Sequence, residues 1–167
     1  MKAGFAEREY TPEEGIIPGQ IKHHYGNGKL TPLMAHVAVI ESKGQKAVLV
    51  SLDLIFVTVD WANALRERIA KVLNISTNNI FVHTTHTHTG CQTDVRCWGA
   101  PANADALIPV VEATMQAVIA ANENITEVKM GTGRTYETRF AFCRDFFAAI
   151  LVAVRMISAY RCRNATS

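Results

Sequence analysis

Two apolar segments in the first third of the chain have the pattern of neighbouring β-strands. The segments "LMAHVAVIES" and "KAVLVSLDLIFVT" are rich in β-branched and large apolar residues, and Lys43-Gly44-Gln45 separates them. A short link that contains glycine suggests a hairpin between the two strands. The second segment is the more continuously apolar, so we expect it to be a central strand of a sheet.

The polar and apolar positions that follow predict an amphipathic helix. In "VDWANALRERIAKVL", Asp60 is a good N-cap residue, and charged residues occupy the positions between the apolar ones. The apolar residues that recur at helical spacing are Trp61, Leu65, Ile69 and Val72. We therefore expect a helix that begins at about Asp60 and packs one face against the sheet.

The rest of the patterned region continues the alternation of strands and helices. A turn over residues 74–79 leads into a third strand, "IFVHTTH", and a loop with glycine and proline then precedes a second helix at about Ala104–Asn122. The segment "EVKMGTGRTYE" predicts a further strand. This order is typical of an α/β fold in which helices form layers on a mixed sheet.

Composition and charge narrow the class of protein. The chain has 167 residues, of which 49% are hydrophobic and 19% charged, as expected of about one globular domain. The net charge of +2 is spread along the chain, so we expect no nucleic-acid partner. No run reaches the roughly 18 apolar residues of a membrane span, and no signal peptide opens the sequence, which predicts a cytoplasmic protein as written. Four irregularly spaced cysteines are expected to be thiols.

The candidate chemistry lies in "NIFVHTTHTHTG", which contains three of the six histidines. Ligands of α/β sheets collect at the carboxyl ends of strands, where this motif is expected. Side chains alternate along a strand, so we expect His86 and His88 to share one face and His83 to lie on the other, where a structural role is more typical of a single histidine. Neutral imidazole is a good ligand for zinc, but two histidines would form an incomplete site, because a catalytic zinc usually has three protein ligands. Asp53 interrupts its apolar strand, either as a neighbour of this site or as a loop-bonding carboxylate.

These residues also resemble a known family. "KAVLVSLDLIFVT", a helix and "NNIFVHTTHTHTGCQ" are similar, in that order, to the amino-terminal region of the neutral/alkaline non-lysosomal ceramidases and their bacterial relatives. The similarity extends over residues 2–140. It implies that His86 binds a catalytic Zn²⁺ and that His88 acts beside it as a catalytic residue. The implied reaction belongs to sphingolipid metabolism: hydrolysis of the N-acyl amide of ceramide or a related lipid.

The chain departs from the family after the motif. It has Cys91-Gln92-Thr93 where the family has Pro-Gly-Gly, and no histidine follows His88, although the family's other ligands, a histidine, a glutamate and a tyrosine, lie downstream. We expect residues 1–145 to be the amino-terminal part of a larger metallohydrolase domain. Residues 146–167 form a divergent apolar and basic tail, as at a truncated or frame-shifted end. Taken alone, the chain is expected to be an inactive fragment.

Two alternatives stay open on the sequence alone. The first is another metallohydrolase with an HxH strand, such as an amidohydrolase barrel. The second is a non-enzymatic module with a structural zinc site made of His86, His88, Cys91 and Cys97. A third ligand for a catalytic site could also come from His23, His24 or His36, although a loop is expected at the first two and a core position at the last.

Overall fold

The fold is described from a computed structural model, which places residues 1–12, 15–17, 24–26, 28–90, 93 and 104–136. The chain divides into two units, Met1–Lys129 and Met130–Ser167. The described part of the second unit, residues 130–136, contains no helix or strand. The domain boundary predicted at residue 145 lies outside the described residues. Within them, no helix is both long and apolar enough to cross a membrane.

The first unit contains strands and helices in alternating order. Its strands are β1 (Lys2–Glu9), β2 (Gly15–Ile17), β3 (His24–Gly26), β4 (Met34–Ser42), β5 (Gln45–Leu52), β6 (Ile80–Thr84) and β7 (Thr126–Glu127). Its helices are α1 (Val59–Leu73) and α2 (Leu107–Glu123).

Five of these strands form one mixed sheet in the order β6-β5-β4-β1-β7, while β2 and β3 pair separately. The β5–β6 pair is parallel and is connected through α1, whereas the other neighbours are antiparallel. The predicted α/β class with a mixed, layered sheet is therefore confirmed. The position of β5 between β4 and β6 confirms that it is a central strand.

The predicted hairpin joins β4 and β5. Ser42 pairs with Gln45, and the two residues between them have positive φ, 52° at Lys43 and 75° at Gly44. Two successive residues with positive φ match the twist of antiparallel strands, and glycine adopts this conformation without steric cost.

Both helices cover the same face of the sheet. The buried side chains that β4 and β5 direct to this face are Ala35, Val37, Val39, Val48, Val50 and Leu52. They form one core cluster with Leu65 and Ile69 of α1 and Val110, Ala117 and Val118 of α2. At Gly4 of β1 the backbone of α2 comes so close that a Cβ atom would overlap the carbonyl group of Ala121. The opposite face of the sheet carries exposed side chains.

Several predicted boundaries were wrong. Helix α1 begins one residue before Asp60, and its N-cap is Thr58, whose hydroxyl accepts a hydrogen bond from the Trp61 amide at 3.2 Å. Val72 is 51% exposed, and Leu73 packs against the core in its place. The strand predicted in "EVKMGTGRTYE" is limited to Thr126–Glu127 among the described residues, and β1 was not predicted as a strand.

Candidate functional site

The histidine motif begins where β6 ends. After Thr84 the chain passes over the end of β5, with the Thr85 amide donating to the Leu52 carbonyl at 2.9 Å and the His86 amide to the Leu54 carbonyl at 3.0 Å. His86 has φ of 62°, in the left-handed region that residues other than glycine rarely adopt. These two backbone bonds hold His86 in this conformation beside the end of β5.

The ring of His86 is held in one orientation by a backbone acceptor. Its Nδ1 lies 2.8 Å from the carbonyl oxygen of Ile55. Because a carbonyl oxygen can only accept, Nδ1 carries the proton in this bond, and Nε2 of the neutral ring bears the lone pair. Such a bond from the second ring nitrogen to a backbone carbonyl is typical of histidines that bind metals.

His88 brings its ring to the same atom. The Nε2 atoms of His86 and His88 lie 3.4 Å apart, with the ring centroids at 5.0 Å and the planes at 83°. This geometry fits an N–H···N hydrogen bond from His88 to the lone pair of His86. It also fits two ligands of one ion, since nitrogens about 2.0 to 2.1 Å from a tetrahedral zinc stand about 3.3 to 3.4 Å apart.

The predicted convergence of His86 and His88 is therefore observed, but for a different physical reason. The prediction assumed that the strand continued and that side chains alternated along it. The strand ends at Thr84, and the positive φ at His86 brings the two rings together. His83, which lies within β6, stacks on Phe81 with the ring centroids 6.4 Å apart, on the sheet face away from the helices.

Asp53 connects the motif to the sheet. Its carboxylate accepts a hydrogen bond from the Met34 amide at 2.9 Å and one from the Thr85 hydroxyl at 3.1 Å. Its amide donates to the Met34 carbonyl at 3.1 Å. Asp53 is thus both a loop-bonding carboxylate and a neighbour of the site, the two roles that the sequence left open. It bonds the end of a strand and contacts the residue that precedes His86.

The loop after the motif lies close to the same residues. A Cβ atom at Gly90 would stand 3.2 Å from the carbonyl oxygen of Asp53, so glycine permits the close approach. Farther along, the Thr93 hydroxyl donates to the Phe56 carbonyl at 2.7 Å. The segment that contains His86 is therefore held mainly by contacts with backbone carbonyls of residues 52–56. A sequence pattern does not show which backbone carbonyls make contacts.

The described residues supply an incomplete set of metal ligands. Among them, no group of three or more histidine, cysteine, aspartate or glutamate side chains could hold an ion. His36 is half exposed and pairs with Glu7 at 3.2 Å, so its predicted core position was wrong, and His24 lies in β3 where a loop was expected. Cys91, Cys97 and His23 lie outside the described residues.

This geometry defines the class of protein: an α/β domain with a pair of histidines at the end of a parallel strand. The fold is that of a part of the neutral ceramidases, as the sequence resemblance predicted. The crystal structure of neutral ceramidase from Pseudomonas aeruginosa matches with a TM-score of 0.59 and 18% identity, over 74% of this chain and 22% of that one. A ceramidase complexed with C2 matches with a TM-score of 0.57 and 17% identity, over 74% and 21%.

The chain spans about a fifth of the length of the two ceramidase structures. No protein-family model and no curated protein sequence matches it. The shared architecture is an open mixed sheet, so the amidohydrolase barrel is not the fold of the described residues.

Proposed function

We propose that this chain contributes one ligand-bearing part of a zinc-dependent amide hydrolase of the neutral ceramidase type. In this proposal His86 binds Zn²⁺ through Nε2, and His88 acts as the adjacent catalytic residue. The substrate is the N-acyl amide of ceramide or a related lipid. The ceramidase fold supports the class of enzyme, the orientation of the His86 ring supports its role as a ligand, and the proximity of His88 supports a role beside it.

The orientation of the His86 ring is the observation that carries the proposal. The bond from Nδ1 to the Ile55 carbonyl leaves the lone pair on Nε2, and the ring is exposed, so an ion can reach this atom. The backbone bond from the His86 amide to Leu54 fixes the position of the ring as well. A ligand held in this way loses little freedom when it binds a metal.

A catalytic zinc polarises an amide carbonyl and lowers the pKa of its water towards neutrality. The side chains of this chain would stabilise the developing charge and position the ligand. His88 lies where its ring N–H can donate to negative charge that develops on the amide oxygen beside His86. Asp53 and Thr85 hold the motif against the sheet, so they position His86.

We propose further that the chain alone does not complete the centre. A catalytic zinc requires about three protein ligands, and in this proposal the described residues supply one of them, His86, with His88 beside it. A single imidazole leaves an ion weakly bound and poorly oriented. The remaining ligands would come from polypeptide of the kind that the longer ceramidase structures contain.

Zinc binding by the purified chain tests the assignment of ligands. Competition with a chromophoric chelator should show weak binding that His86→Ala reduces by about tenfold or more, whereas His83→Ala should leave it unchanged. His83 is a matched control because it is an exposed histidine of the same strand and loop. The ¹⁵N resonance of His86 Nε2 should shift on addition of zinc while that of Nδ1 stays in the protonated range. Loss of binding in His83→Ala with retention in His86→Ala would reverse the assignment.

An amide hydrolysis assay tests the proposed incompleteness. The chain with added zinc should not release fatty acid from an N-acyl sphingosine above the level of His86→Ala and His88→Ala. Zinc-dependent turnover that His86→Ala abolishes would show that the chain completes the centre by itself. That result would support the reaction and refute the incompleteness.

A further inference from the structure

The sheet face opposite the helices carries an apolar row across four strands. The register places Phe5 beside Ala38, Ala38 beside Leu49, and Leu49 beside Phe81. Phe5 is 65% exposed, Leu49 45% and Phe81 62%. Ala38 is the smallest of the four and lies between larger neighbours, so the row borders a depression of about 600 Å³. Exposed apolar surface of this kind typically marks a contact with another molecule.

A polar row runs beside it across the same four strands. Here the register places Glu7 beside His36, His36 beside Ser51, and Ser51 beside His83. The Glu7 carboxylate lies 3.2 Å from Nδ1 of His36. The row therefore has a carboxylate at its β1 end, an imidazole at its β6 end, and an imidazole and a hydroxyl between them.

We propose that this face, the apolar row and the polar row together, is a sheet-packing interface occupied by the same face of a second copy of the chain. The pairing is a twofold one, with its axis parallel to the strands and between the two sheets. Such an axis reverses the order of the strands but keeps each row opposite itself.

The two rows are self-complementary under this symmetry. Glu7 of one copy lies opposite His83 of the second, which pairs a carboxylate with an imidazole. His36 lies opposite Ser51, an imidazole with a hydroxyl. In the apolar row Leu49 lies opposite Ala38, so the larger side chain of one copy enters the depression of the other.

The area of the face is sufficient for a weak specific interface. Four strands about 4.8 Å apart and about seven residues of about 3.3 Å each give a projected area on the order of 400 Å². With the relief of the side chains, two such faces bury on the order of 1,000 Å², near the lower limit for specific association. Aligned sheets pack face to face about 10 Å apart, a distance that side chains of this size can fill.

Sedimentation equilibrium of the whole chain tests the proposal. We expect a monomer–dimer equilibrium and a dissociation constant that Leu49→Lys raises about tenfold or more. Ile119→Lys on α2 is the matched control, because Ile119 is 43% exposed against 45% for Leu49 and receives the same charge. The control should leave the dimer unchanged. Circular dichroism of each variant verifies that the fold persists.

A charge exchange tests the proposed pairing itself. Glu7→Lys should weaken the dimer, and Glu7→Lys combined with His83→Glu should restore it, since lysine then faces glutamate across the axis. A chain that remains monomeric at about 100 μM overturns the proposal. That result is expected if this face packs against other polypeptide, of the kind that the longer ceramidases contain, and not against a second copy. Association that Leu49→Lys leaves unchanged, or that Ile119→Lys weakens equally, overturns it as well.

Discussion

Removal of the Asp53 carboxylate should destabilise the fold and loosen the histidine motif. Asp53→Ala leaves the Met34 amide without its acceptor, and a hydrogen bond to a charged group contributes about 1.5 to 3 kcal/mol. The bond to the Thr85 hydroxyl is exposed and contributes less, about 0.5 kcal/mol. We therefore expect the free energy of unfolding to fall by about 2 to 3 kcal/mol. Asp53→Asn keeps one oxygen acceptor and should cost about half as much.

Urea unfolding followed by circular dichroism measures this loss. With a slope of about 2 kcal/mol per M urea, the midpoint should fall by about 1 M in Asp53→Ala. Asp60→Ala is the control, because Asp60 is an exposed carboxylate in the first turn of α1, worth about 0.3 to 1 kcal/mol. The ¹H–¹⁵N correlation of the His86 ring should also lose its single protonated-Nδ1 pattern in Asp53→Ala. Equal midpoints in Asp53→Ala and Asp60→Ala would refute the role of Asp53 in holding the motif.

Three other predictions concern the glycine under α2, an ion pair and the tail. Gly4→Ala should lower the free energy of unfolding by about 2 kcal/mol, because its Cβ meets backbone that cannot rotate away, whereas Gly28→Ala, which meets no atom within 4 Å, should not lower it. The hydrogen bond from Lys29 lowers the pKa of Glu9, so this pair stabilises the fold above the ordinary pKa of glutamate and ceases to do so as the pH falls through the lowered value. Lys29→Ala should raise the pKa of Glu9 in an NMR titration, and an unchanged pKa would contradict the assignment. Residues 146–167 are apolar and basic, so the whole chain should form larger species than residues 1–145 in size-exclusion chromatography; equal elution behaviour, apart from the difference in mass, would count against this.

The elements that could be predicted from the sequence are those whose signals are local. The hairpin of β4 and β5 is encoded by two alternating or apolar runs and by Gly44 between them. Helix α1 is encoded by the spacing of Leu65 and Ile69. Strand β1 was missed because its second half, residues 7–9, is charged. Its partner, β4, also lies about thirty residues away along the chain, so no short stretch of sequence contains both strands.

The proximity of His86 and His88 could be predicted from the sequence, but the geometry that produces it could not. Histidines two positions apart indicated a joint role, and the structure brings their rings together. The left-handed backbone at His86 and the Ile55 carbonyl that holds its ring depend on contacts between distant segments, which the sequence pattern does not contain. The polar row that joins Glu7 to His83 depends on the registers of three strand pairs and was not predictable for the same reason.

The positive φ of His86 has a consequence for laboratory selection. A side chain other than glycine in this conformation costs about 1 to 2 kcal/mol, so selection for a well-folded chain alone should enrich His86→Gly and His86→Asn. If His86 binds zinc as proposed, selection for retention of zinc should enrich histidine at the same codon. A survey of all substitutions at position 86 would therefore rank the residues in opposite orders under the two selections. The difference between the two rankings would measure the stability that the loop loses by having histidine there.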